Sequence, residues 1–206
     1  RLPFSQAVVT AKVGACRNLL RQHVRNHPEV DLEQEIQELG RWVHRIPEAT
    51  NLDQLRGFEG NAAGIYYRGL SKCFRSPFTF SRRVRRPPTD PVNSLLSFGY
   101  TLTLYNVHSY ICARGLSPFA GLFHEPRADH PALASDLLEE LRAPIVDSLI
   151  LSLANRGEFS PDDFYFAEGK PQPCFLRDEP RCKFIAAFEE RMMSLRRHPD
   201  VQLAVD

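Results

Sequence analysis

Long apolar runs are missing from this 206-residue sequence. None approaches the ~20 consecutive residues that a bilayer-spanning helix requires, and the first residues lack the pattern of a secretory signal. An excess of one charge is missing too. The 26 Lys and Arg face 25 Asp and Glu, which argues against the uniformly basic surface of a nucleic-acid coat, so any contact with a polyanion must be local. The five cysteines, Cys16, Cys73, Cys112, Cys174 and Cys182, are odd in number, scattered, and without a C-x-x-C pair. They fit reduced thiols in a cytoplasm, mostly small buried hydrophobes, better than a disulfide frame or structural zinc. Repeats and low-complexity segments are lacking as well. The first residue is Arg1 rather than Met, and the expectation is a part of a longer polypeptide.

What is present is 43% hydrophobic residues, enough for one core of ordinary size. Val9, Val13, Cys16, Leu20 and Val24 recur at helical spacing, with basic residues between them, and predict an amphipathic helix over 5–26. Asp31 followed by Gln34 resembles a capping box before the stripe Leu32, Ile36, Leu39 and Val43. A third helix is predicted over 52–70. Three prolines make 75–90 a long loop, after which Asp90 as cap and Pro91 at the first helical position open a helix over 91–113 that Gly115 can end. Its Val92, Leu95, Leu96, Gly99, Val107 and Ile111 mark it as the central core helix. Pro131 opens the next, whose apolar side runs from Leu133 to Leu153 with a kink or break at Pro144. "FYFAEGKPQPCFL" reads as a small hairpin, followed by a last helix near 181–195. The fold class expected is mainly α: a single helical domain with a small β-hairpin near the C-terminal end.

Three places could carry chemistry. In "GLFHEPRADHPALASDLLEELR", residues 121–142, Asp136 stands three residues from Glu139 and four from Glu140, so the acids can share a helix face. From spacing alone they read first as a solvated face opposite the leucines, and His124 as an ordinary hydrogen-bonding histidine. A divalent cation would turn the mutual repulsion of the acids into a binding site. In "LRGFEGNAAGIYYRGL", residues 55–70, Glu59 sits among Gly57, Gly60, Ala62, Ala63 and Gly64, where small neighbours allow close helix approach and an inward carboxylate; helix packing alone is the other reading. In "RRVRRPPTDPVN", Arg82, Arg83, Arg85 and Arg86 form a local cationic patch suited to phosphates, or a solvated loop. Asn93, in the first turn of the next helix, is placed to bond a phosphate or a neighbouring metal ligand.

These stretches, in this order, resemble the family of CRISPR-associated integrases called Cas1, which insert new spacers into CRISPR arrays in antiviral defence. The residues that carry the resemblance are "LRGFEGNAAGIYY", "RRPPTDPVNSLLSFGYTL", "GLSPFAGLFHEPRADHPALASDLLEELRAPIVDSLILSL" and "KFIAAFEERM". The resemblance implies that 1–206 form a helical catalytic domain with Mg²⁺ or Mn²⁺ held by Glu59, His124 and Glu139. Asp136 matches an acid beside the metal, and Arg142 a basic position that helps hold the phosphate. It also implies a β-rich dimerisation domain before Arg1 and a basic stretch after Asp206, both outside this sequence, where a fused reverse transcriptase or nuclease is possible.

The activity implied is integration by transesterification: a prespacer 3′-hydroxyl attacks a phosphodiester of the CRISPR repeat. The partners implied are DNA and Cas2, with two homodimers bridged by Cas2, in a prokaryotic cytoplasm and away from membranes. Two other readings stay open: a structure-specific DNA repair nuclease using the same ligands, and a non-catalytic structural protomer of the integrase complex.

Overall fold

The apolar spacing at Val9, Val13, Cys16 and Leu20 becomes the buried side of a 25-residue helix, α1 (Leu2–Asn26). This computed structural model describes residues 1–125 and 130–194. Helix α1 packs against α2 (Glu33–Arg45), α3 (Leu52–Cys73) and α5 (Ala132–Leu141), so side chains on several of its faces are covered. The architecture is mainly α, as expected, and is completed by α4 (Pro91–Ala113), α6 (Ser148–Asn155), α7 (Asp178–Met193) and one two-stranded antiparallel hairpin. In the hairpin, β1 (Phe164–Phe166) pairs with β2 (Cys174–Leu176), with Tyr165 opposite Phe175. Among the described residues no helix is long and apolar enough to cross a membrane. Residue 195, in the range expected for the last helix, lies outside the described residues.

Local chemistry explains most boundaries. Asp90 Oδ1 accepts from the Asn93 amide at 2.8 Å, and Pro91 begins α4 without an amide to satisfy. Gly115, at φ +70°, takes the left-handed conformation just after the helix. The capping box expected at Asp31 does not form. Leu32 is the N-cap of α2, so Gln34 falls one position too early to reach back, and it donates to Glu38 instead. Glu35 ties α2 to α3: its carboxylate is buried and pairs with Lys72 at 2.8 Å and Arg68 at 3.2 Å.

The break expected at Pro144 takes a specific form. Residues Arg142–Asp147 make a π-helical turn between α5 and α6. Proline offers no amide to the ladder, and a widened turn accommodates the missing bond. The turn aims Ala143, Val146 and Asp147 into the core. Gly99 on α4 permits this approach, because a Cβ there would meet Val146 Cγ1 at 2.5 Å.

Asp147 is 1% exposed and accepts from the hydroxyls of Tyr66 at 2.5 Å and Tyr100 at 2.6 Å. Burial pushes its carboxyl up to about 6, against the pull of those two hydrogen bonds and of Arg142 and Arg83. Between the ordinary carboxylate value and about 6 the folded protein therefore holds a proton that the unfolded chain has released. Its stability falls as pH rises through that window. Measured by urea unfolding, the wild type should lose up to about 3 kcal/mol relative to Asp147→Asn between about pH 4 and pH 7. A difference that stays flat over that range contradicts this reading of Asp147.

Candidate active site

Four elements bring the candidate residues together. Glu59 comes from α3, His124 from the loop before α5, Asp136 and Glu139 from α5, and Arg142 from the first residue of the π-helical turn. The loop descends close onto α5 at Gly121, where any Cβ would overlap Ala132. Glu140, one residue beyond Glu139 in α5, is only half-buried.

Asp136 fixes the loop. Its carboxylate, 0% exposed, accepts from the backbone amides of Leu122 (2.6 Å), Phe123 (3.0 Å) and His124 (2.8 Å) and from His124 Nδ1 (2.7 Å). Burial opposes the charged form, but the His124 side chain and the three amides outweigh it and hold the carboxyl below its ordinary range. An ionised carboxylate can only accept, so Nδ1 carries the proton and Nε2 is the nitrogen left to face a ligand. That nitrogen lies 3.9 Å from Glu139 Oε1.

Glu139 is 4% exposed and lies between two cations. Its Oε1 meets Arg142 at 3.0 Å and its Oε2 meets Lys12 Nζ at 2.6 Å. Burial alone would raise its pKa, but Lys12 and Arg142 hold it below the usual range. Lys12 also pairs with Glu59 Oε1. The lysine was not expected here. It occupies the buried side of α1 beside Val9, Val13 and Cys16, and a lysine inside an apolar stripe was the sequence signal for it.

Among the described residues no three His, Cys, Asp or Glu side chains lie in position to hold a metal as they stand. The donor set nevertheless fits a hard divalent cation: two carboxylates and one imidazole nitrogen. Glu139 Oε2 is buried and receives no aligned hydrogen bond, so its contact with Lys12 is ionic. An ammonium thus stands between the two acids expected to be ligands. Glu59 and His124 line an open cavity of about 610 Å³ with Arg56, Arg86, Glu125 and His130. Arg56, also absent from the sequence expectations, pairs with Glu125 at 2.9 Å and Asp53 at 2.8 Å.

The expected phosphate contacts divide into two groups. Arg82, Arg85 and Arg86 are exposed, and Arg82 and Arg85, with half-buried Arg83, line a further open cavity of about 350 Å³. The Arg83 guanidinium is engaged within the protein, donating to Asn93 Oδ1 at 2.8 Å and Ser97 Oγ at 2.9 Å, 5.4 Å from the Tyr100 ring. Asn93 is 0% exposed. Its amide donates to Asp90 and Arg82 O and accepts from Arg83 and the Val84 amide, so it anchors the loop and has no group left to offer a phosphate. Arg142 is also engaged internally, by Glu139 and by the Tyr100 ring at 4.7 Å.

Convergent acids, an oriented histidine and a bordering arginine loop thus lie together on a helical scaffold. Residues 1–190 match the family model for CRISPR associated protein Cas1, and the chain belongs to that family. It is 38% identical over 205 residues to a CRISPR-associated endonuclease Cas1 of Chlorobaculum tepidum, an alignment covering 96% of this chain and 59% of that relative. The chain thus spans about three fifths of the relative's length. Its fold superposes on a casposase bound to integration product with a TM-score of 0.82 at 26% identity, over 93% of this chain and 52% of that one. A Cas6-RT-Cas1–Cas2 complex gives the same TM-score at 27% identity, over 94% of this chain and 22% of that one.

Removing the carboxylate that gathers the loop should be costly. Asp136→Ala is expected to lower the unfolding free energy at neutral pH by about 2–4 kcal/mol, as read from urea denaturation. Because the carboxyl is depressed in the folded protein, that contribution is lost as pH falls through its folded value. A loss below about 0.5 kcal/mol would show that the loop stays in place without Asp136.

Proposed function

We propose that this chain is the catalytic domain of an integrase of CRISPR adaptation, joining prespacer DNA 3′-hydroxyl ends to a CRISPR repeat by transesterification. The observation that carries the reading is an open cavity lined by Glu59 and His124 with Arg56 and Arg86, with buried Glu139 beside it, 3.9 Å from His124 Nε2 and sharing Lys12 with Glu59. The family and the casposase fold likeness support the same chemistry.

In this reading Glu59, His124 and Glu139 hold Mg²⁺ or Mn²⁺, which when bound supplies Lewis-acid stabilisation to the charge growing on the scissile phosphate. Asp136 keeps the imidazole aimed through Nε2 and keeps Nδ1 protonated. Arg142 balances the charge of Glu139 from behind. Arg82, Arg85 and Arg86 hold the DNA backbone, while Arg83 and Asn93 keep the loop that presents them in place. The attacking 3′-hydroxyl gives up its proton and forms the new phosphodiester; the departing 3′-oxygen takes a proton. One diester replaces another, so no nucleotide hydrolysis is required. The assembly suggested by family and fold is a Cas1 homodimer pair bridged by Cas2, and the Cas6-RT-Cas1–Cas2 neighbour supports a Cas2 partner.

The test is a strand-transfer assay with the full-length protein, Cas2, a labelled prespacer bearing free 3′-hydroxyls, and Mn²⁺. Glu59→Ala, His124→Ala and Glu139→Ala should each lower joined product by at least about a thousandfold. Full activity in any folded variant contradicts the assignment, and cleavage without joining in the wild type favours a repair nuclease.

A further inference from the structure

Lys12 has no part in the chemistry above, yet it holds the middle of the site. Its side chain is 11% exposed, and its ammonium contacts both Glu59 Oε1 and Glu139 Oε2. We propose that Lys12 is the resident cation of this site: its ammonium stands in for the metal between Glu59 and Glu139, and metal entry displaces it. This inference rests on the metal-site reading of Glu59, His124 and Glu139.

Glu139 is buried, and a buried carboxylate is not tolerated in its charged form without a positive partner. Arg142 serves Glu139 through Oε1 alone. Glu139 Oε2 is buried and without an aligned donor, so its ionic contact with Lys12 is what makes that oxygen tolerable. The groups facing the ammonium include the acids Glu59 and Glu139 and, as opposing charge, Arg142.

The two basic side chains differ in their freedom to leave. Arg142 is pinned by its ion pair and by the Tyr100 ring. Lys12 ends a flexible four-carbon stem, and Glu59, one of its two anchors, lines the open cavity of about 610 Å³. A single positive charge on a movable stem is the kind of occupant that a divalent ion can replace. Lys12 thereby preassembles the acids before metal arrives and lowers the apparent metal affinity.

The test is calorimetric titration of MnCl₂ into the full-length protein as wild type, Lys12→Met and Glu139→Gln, with thermal melting of each. Lys12→Met should bind Mn²⁺ at least about tenfold more tightly, melt lower than wild type without metal, and recover with it. Glu139→Gln should lose binding. Affinities of wild type and Lys12→Met within about twofold overturn the role of Lys12 alone; no Mn²⁺ binding in either overturns the metal-site reading as well. Should Lys12→Met fail to fold, the wild type decides. Modification of Lys12 by an amine-reactive reagent, followed by mass spectrometry, should speed up at least about fivefold with saturating Mn²⁺ as the ammonium is released. An unchanged rate overturns the proposal.

Discussion

A carboxylate that is 4% exposed cannot stay ionised in a helical core without compensating charge, and the centre of this domain is arranged around meeting that demand for Glu139. Lys12 reaches it from α1 and Arg142 from the π-helical turn. The helices must therefore converge where they do: α1 has to run against both α3 and α5, and the chain after α5 has to turn Arg142 back toward Glu139. The apolar residues of α5 anchor the helix that carries the acid. Leu138 joins the core, and Leu133, Leu137 and Leu141 pack beside Val107 and Ile111 of α4.

A second polar layer lies beneath the first. Asp147 gathers Tyr66 and Tyr100, and Tyr67 joins through the Tyr100 hydroxyl at 3.3 Å. The Tyr100 ring lies against both Arg142 and Arg83. This layer links the acid site to the arginine loop through packed side chains. Among arginines that look alike in sequence, Arg83 differs in contacting both that ring and Asn93.

Much of the fold was legible where the signal is local. The bounds of α4 follow from Asp90, Pro91 and Gly115, each acting on its own neighbours, and the hairpin follows from its turn residues. Signals that depend on a one-residue register were less dependable. Asp31 and Gln34 match a capping box, but α2 begins one residue later, which removes the reciprocal bond. Pro144 announced an interruption without saying that it would take π form. At the site, the family motifs named Glu59, His124, Asp136 and Glu139 as candidates, and the structure brings these side chains near one another. Lys12 was passed over among the basic residues of α1, because its partners lie 47 and more residues away and no local pattern names them. Arg83 and Asn93 had the right chemistry for phosphate, but burial turned that chemistry inward.

In the function proposed above, Glu59, His124 and Glu139 share one divalent cation. Anomalous diffraction at the manganese edge, from crystals of the full-length protein soaked in Mn²⁺, tests it most directly. One strong peak is expected within about 2.0–2.4 Å of a carboxylate oxygen of Glu59, of His124 Nε2 and of a carboxylate oxygen of Glu139, with Lys12 withdrawn from between the acids. A Mn²⁺ peak on other ligands, or an ion pair of Lys12 with both acids unaltered at saturating Mn²⁺, would contradict it.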